Sequence, residues 1–264
     1  MLIMGLMSLV SCDKIEPDQY TVFSGVVGEW EEGYSVENPV QRAYVEKYTG
    51  PRCTNCPAAD RTLEAVHDVQ GDKLVVVSVN SKTDQFGAPM TGYPDMRTPE
   101  GAVWEDFWGV SSYPTAYVNR DGATAYSGSM TSIGSAVQNV VNQSPVVAVD
   151  GEVNGSDDIS IHVNLQFVQS YTKPLTLSLI LIQDSLKYWQ LDGSSPVADY
   201  VHNHMLRDVI TDVWGADIDC TGAQGECRQA TFKYTLPEGM ENWHVLALIS
   251  DKATRRVINS VQCE

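Results

Sequence analysis

Basic residues are scarce in this chain: 17 lysines and arginines stand against 34 acidic residues, a formal net charge of -17. That balance excludes the basic footprint with which proteins hold nucleic acid. It also excludes docking on anionic lipid through a basic patch. After the first eleven residues no long apolar run occurs, so no transmembrane helix is expected. No internal repeat is evident. The six cysteines include one closely spaced pair and no second one like it, which leaves a four-ligand zinc site without half of its ligands. What remains is 264 residues, 43% of them hydrophobic, a length that suits two domains of ordinary size.

Met1 to Ser11 are apolar and small, ending in Leu9-Val10-Ser11-Cys12. This stretch is too short to span a bilayer, and it resembles a bacterial lipoprotein signal (residues 1–11) cleaved before Cys12. Cys12 would then carry the acyl chains, palmitate among them. A chance cysteine after a generic signal peptide is the alternative, and the segment lacks a basic start. Either way the mature chain is exported. Residues 12–41 read as a lipidated tether and N-terminal extension, charged and Pro-containing at its start.

The chemistry-bearing motif is Cys53-Thr54-Asn55-Cys56-Pro57. Before it, Ala43 to Tyr48 alternates as a strand does, and Thr49-Gly50-Pro51-Arg52 is turn chemistry. After it, Ala59, Leu63, Val66 and Val69 recur at helical spacing up to Gly71. The pair therefore sits where a strand meets a helix N-terminus, where unpaired N–H groups and the helix dipole favour a thiolate. Cys53 is the candidate nucleophile and Cys56 the resolving thiol, with Arg52 as a neighbouring cation. A passive disulfide and a metal pair are the competing readings.

Lys73 to Asn80 reads as a buried parallel strand. Tyr113-Pro114-Thr115 opens a strand–turn–strand unit through Tyr126, and a helix follows from Ser132 to Asn142. This order resembles the thioredoxin fold over residues 42–143, with an insertion at about 81–109. The resemblance implies that Pro114 is cis and packs against the CxxC pair. It also offers Glu46, seven positions before Cys53, as the buried acid that moves the second cysteine's proton; an outward salt-bridge residue is the alternative. The apolar, irregular insertion reads as a surface loop with a core-packing helix, or as a lid or substrate groove near Cys53.

From Val146 onward, short alternating strands separated by turn signals such as Asn154-Gly155 point to an antiparallel, Ig-like β-sandwich over 146–264. The fold class expected is thus an α/β thioredoxin-like domain followed by an all-β sandwich. Cys220 and Cys227 bracket a short loop that a local disulfide would close, leaving Cys263 over or pairing instead. His202 and His204 would share a strand face, but no third ligand accompanies them, so core histidines are preferred to a metal pair and no metal is expected.

Several segments resemble the outer-membrane lipoprotein family named for a twenty-eight-kilodalton founder: Glu46 to Gly50 running into Cys53 and Cys56-Pro57, Tyr113-Pro114-Thr115 with Val118-Asn119-Arg120, Tyr200 to Arg207, and Trp243 to Ile249. The resemblance implies a lipid-anchored outer-membrane protein of Gram-negative bacteria, facing periplasm or cell surface. It brings no settled activity. Two functions follow. In one the chain is a thiol–disulfide oxidoreductase acting through Cys53 and Cys56 on protein or peptide thiols and disulfides, with no cofactor beyond that disulfide. In the other it is a non-catalytic surface-binding lipoprotein, and Cys53–Cys56 is a structural bond.

Overall fold

The structure, a computed structural model, describes residues 29–264. Cys12 and the expected signal segment lie outside the described residues. Strand β2 (Ala43–Thr49) is buried at every position, as a strand is when both of its faces are covered. It pairs in parallel with β3 (Leu74–Asn80) and antiparallel with β4 (Thr115–Val118), which carries the short β5 (Tyr126–Ser127) on its other edge. Helix α1 (Cys56–Gln70) connects β2 to β3, with Pro57 in its first turn, where a missing N–H leaves no hydrogen bond unmade. Helix α2 (Pro99–Trp108) starts at Thr98, whose hydroxyl accepts the Gly101 N–H at 3.0 Å, and stops at left-handed Gly109. Helix α3 (Ile133–Val141) closes this half.

Successive β2 side chains point to opposite faces. Ala43 and Val45 pack on α1 and α3 through Ala59, Leu63, Ile133 and Val137. Tyr44 and Tyr48 point the other way, into a core shared with Trp104 of α2.

The C-terminal half contributes β6 (Val147–Asn154), β7 (Asp158–Phe167), β8 (Leu175–Gln183), β13 (Cys227–Thr235), β14 (Trp243–Asp251) and β15 (Val257–Gln262). A four-stranded antiparallel sheet has the order β1-β13-β7-β6, where β1 is Glu31–Glu32. Its Ile161, Val163 and Phe232 pack against Leu177, Leu179, Val245 and Ala247 of the second sheet. So the described part of the N-terminal extension is fastened down: β1 pairs with β13, and the Tyr34 N–H donates to Asn164 Oδ1 at 3.1 Å.

The second sheet does not stop at the expected boundary near residue 145. Its nine strands run β15-β14-β8-β11-β3-β2-β4-β5, with β12 (Ala216–Asp217) beside β8. Strand β11 (Met205–Val209) lies antiparallel to β8 and parallel to β3, joining the two halves. The pairings within 146–264 are antiparallel, but the second sheet continues through β11 into the N-terminal half, so the sheet as a whole is mixed and shared by both halves. The reason lies in β8: Leu177, Leu179 and Leu181 enter one core, while Ile180 and Ile182 enter the core that holds Tyr44 and Trp104. A strand apolar on both faces needs cover on both, and a central place in a shared sheet supplies it. Strand β15 also bonds to residues flanking β4 and β2, since the Val257 N–H donates to Asn119 O at 2.9 Å and the Arg42 N–H to Asn259 Oδ1 at 2.9 Å.

One element belongs to neither sheet. Strands β9 (Leu186–Asp192) and β10 (Ser195–His202) pair only with each other, as a two-stranded ribbon.

Candidate functional site

Cys53 and Cys56 are joined by a disulfide, their Cα atoms 5.4 Å apart. The bond spans the junction of the β2–α1 turn and the first residue of α1. The turn is tight by necessity: the Cys53 N–H donates to Gly50 O at 3.0 Å and the Arg52 N–H to Phe86 O at 3.1 Å. A Cβ on Gly50 would stand 2.5 Å from Phe86 O, so glycine alone fits that approach. Arg52, next to Cys53 in the chain, is exposed. The Tyr113–Pro114 peptide bond is cis, and Pro114 is buried at the entrance to β4. The ring of Tyr113 lies against Phe86, centroids 4.8 Å apart.

Neither cysteine reaches solvent: Cys53 is 1% and Cys56 0% exposed. The ribbon β9–β10 covers them. Gln190 Nε2 donates to Cys53 O at 3.0 Å. The Leu191 N–H donates to Pro51 O, and the Gly193 N–H to Thr54 O, both at 2.9 Å. At the rim Arg61 Nη1 meets Asp192 Oδ2 at 3.0 Å. The insertion supports the ribbon, since Tyr188 packs with Met96 and Met205, lies tilted against Tyr93 with ring centroids 4.7 Å apart and donates its hydroxyl to Pro94 O at 2.8 Å. The Ser81–Gly109 segment is therefore both a loop and, through α2, a core element, and it props the cover over the disulfide.

Glu46 is fully buried, but on the face of β2 opposite α1. Its Oε1 accepts from Tyr48 OH at 2.6 Å; its Oε2 accepts from Tyr44 OH at 2.8 Å and Arg120 Nε at 2.8 Å. All of its partners lie on the α2 side, and the structure does not bring it together with the cysteines. The face toward α1 carries Lys47 instead. Lys47 is buried and pairs with Asp60 of α1, which also accepts from Tyr200 OH of β10 at 2.9 Å. Burial pulls the Lys47 ammonium down to about 7. Asp60 stands four residues after Cys56, on the same helix face one turn along. Strand parity alone assigns Glu46 and Lys47 to opposite faces; that signal was available in the sequence.

His202 and His204 do not share a face. The strand breaks between them, with His204 at φ 60°. His202 packs against Tyr200 and Tyr188, while His204 faces His67 and lies 3.5 Å from Asp184. Burial draws both imidazoles down to about 4. The expected Cys220–Cys227 bond is also corrected, because Cys220, Cys227 and Cys263 are free thiols. The Glu226 carboxylate closes that loop instead, accepting the Thr221 N–H at 3.0 Å and the Thr221 hydroxyl at 2.6 Å. Burial raises the Cys263 thiol to about 12 and raises Cys220 as well, which makes both poor nucleophiles.

The fold and the buried disulfide define a β-rich protein with a mixed sheet, three α-helices among the described residues and a CxxC pair at a helix N-terminus. The chain belongs to the family described as outer membrane protein Omp28, which matches residues 102–264. That match contains Pro114 and the ribbon but begins after Cys53 and Cys56. HBP35 of Porphyromonas gingivalis is similar in structure, at 17% identity and a TM-score of 0.69, over 86% of this chain and 76% of that one. A protein from Agrobacterium tumefaciens solved by structural genomics is similar at 15% identity and a TM-score of 0.52, over 86% of this chain and 96% of its own. No curated protein matches the sequence. Family membership places the chain among outer-membrane proteins.

Proposed function

We propose that this is a lipid-anchored outer-membrane protein, held through acylated Cys12, whose thioredoxin-like N-terminal half carries out thiol–disulfide exchange with protein or peptide partners. The observation that carries the reading is the Cys53–Cys56 bond at the N-terminus of α1, one turn from the buried Lys47–Asp60 pair. From the oxidised form, a partner thiolate attacks Cys53 Sγ and Cys56 leaves as a thiolate favoured by the positive end of the helix dipole. A second partner thiolate then attacks the partner's own sulfur in the mixed disulfide and releases Cys53 as a thiolate. The partner leaves with a disulfide, and the pair has gained two electrons. Arg52 lies beside this chemistry as a cation, and Pro114 shapes the edge on which a polypeptide would lie.

A second reading is favoured by the 1% exposure of Cys53. In it the disulfide is structural, and the body binds a surface ligand. Equilibrium in glutathione or dithiothreitol buffers, read by alkylation and mass spectrometry, decides between the two. A potential between about -270 and -120 mV supports exchange, and Cys56→Ser should then trap a partner on Cys53. A potential below about -300 mV overturns it in favour of the structural bond.

A further inference from the structure

We infer that the β9–β10 ribbon is a displaceable cover that gates Cys53, opening as a unit while both large sheets stay intact. This rests on the exchange reading and adds to it where control of the reaction lies. The ribbon is bonded into neither sheet. Its outer strand is exposed along most of its length, with Val197 37% and Val201 47% exposed. Its hold on the turn and α1 is polar: Gln190 to Cys53 O, Leu191 to Pro51 O, Gly193 to Thr54 O and the half-exposed Asp192–Arg61 pair at the tip, and the Tyr200 hydroxyl to Asp60 further along β10. The exposed Asp192–Arg61 pair is exchanged for water at small net cost, and the bond of buried Gln190 to Cys53 O is one hydrogen bond that opening must break.

The base of the ribbon is built differently from its tip. Tyr188 lies in a small cluster with Met96 and Met205, apart from the three larger cores. The two points where the ribbon leaves the sheet are Ser185 and His204, at φ 59° and 60°, tied together by the Ser185 N–H donating to Asn203 Oδ1 at 2.9 Å. A fixed base and a polar tip describe a flap that lifts from the cysteines. The atoms at the tip also fit this role. The Pro51 and Thr54 carbonyls of the turn accept main-chain N–H groups from Leu191 and from the hairpin-turn residue Gly193. The same carbonyls become free for a partner's extended segment once the ribbon lifts.

The test uses the full chain and the double variant Gln190→Ala/Asp192→Ala, which removes two tip attachments and leaves the cysteines and Lys47 in place. The rate at which dithiothreitol reduces Cys53–Cys56 is measured beside the equilibrium reduction potential and the urea midpoint. Reduction at least tenfold faster is expected, the equivalent of about one hydrogen bond lost from the closed state, with the potential unchanged. An unchanged rate in a folded variant overturns the cover. Should the double variant fail to fold, Tyr200→Phe and the urea dependence of the wild-type rate replace it. A rate that climbs with a slope well below that of global unfolding supports local opening, and one that climbs only with global unfolding overturns it. The two ideas fail separately. A faster rate with a potential in the structural range keeps the cover and removes exchange; an unchanged rate with a potential in the exchange range does the reverse.

Discussion

Removing the Arg120 guanidinium should cost more than any surface change, and working through that cost separates two roles for Glu46. The pair lies in the core between β2 and α2, with Glu46 0% and Arg120 2% exposed. Arg120 Nε donates to Glu46 Oε2 at 2.8 Å and Nη2 lies 2.7 Å from the same oxygen. The guanidinium also stacks 4.3 Å from the Trp104 ring and 5.4 Å from that of Trp214. Arg120→Met keeps the volume and the aromatic contact but leaves a buried carboxylate with two phenol donors. Breaking a buried ion pair from one side costs about 3–5 kcal/mol. Glu46→Gln strands the cation instead and should fall in the same range. Glu46→Leu/Arg120→Met removes both charges and should cost well under the sum of the singles, because neither is then left unpaired. Urea unfolding followed by circular dichroism measures all of these. Single costs below about 1 kcal/mol, or a double cost equal to the sum, would refute the reasoning. The same Glu46→Gln protein should keep its Cys53–Cys56 potential within about 30 mV. A larger shift would return Glu46 to the cysteines, against its position on the far face of the strand.

The remaining predictions concern titration and thiols. His202 and His204 have folded values near 4, below the unfolded value of about 6.5. Above pH 6.5 both states are neutral and nothing is lost. As pH falls toward 4 only the unfolded chain takes up protons, so stability declines, by about 2–3 kcal/mol for the 5%-exposed His202. His202→Phe should flatten that acid limb of the urea midpoint; an unchanged limb would count against it. Under denaturing conditions without reductant, iodoacetamide should label Cys220, Cys227 and Cys263 and spare Cys53 and Cys56. A recovered Cys220–Cys227 disulfide peptide would contradict the free thiols.

Much of the site was legible because its signals are local. A strand, a glycine turn, two cysteines three apart and a helix with proline in its first turn lie within thirty residues of one another. The cover was not legible, although Asp192-Gly193 between two strand-length runs is a hairpin signal. The polar positions in 195–200 blur the alternation, and the bond from Gln190 to Cys53 crosses 137 residues of chain, a distance over which local pattern says nothing. The joining of the halves through β11 escaped for the same reason. Cys220 and Cys227 failed differently. Closeness in sequence measures the length of a loop, whereas a disulfide needs the two thiols aimed at each other, and Glu226 already satisfies that loop by hydrogen bonds.

What the Cys53–Cys56 bond contributes to stability bears on why cysteines occupy those positions. In the loop-entropy account a cross-link gains with the length of chain it closes, and a separation of three residues gives only about 2 kcal/mol. The turn is already fixed by the Gly50 approach to Phe86, by Pro57 in the first turn of α1, and by three hydrogen bonds from the ribbon. A clasp there adds little that these contacts do not supply. A link between distant segments, such as the ribbon and α1, would have stabilised more, yet Arg61 and Asp192 meet there as an exposed ion pair, a contact worth about 0–1 kcal/mol. The covalent bond stands where its mechanical gain is small and where a helix N-terminus favours a thiolate leaving group, while the tip of the ribbon is held to the turn and α1 by hydrogen bonds and an ion pair. That distribution of strong and weak attachments is the physical argument behind the exchange proposal.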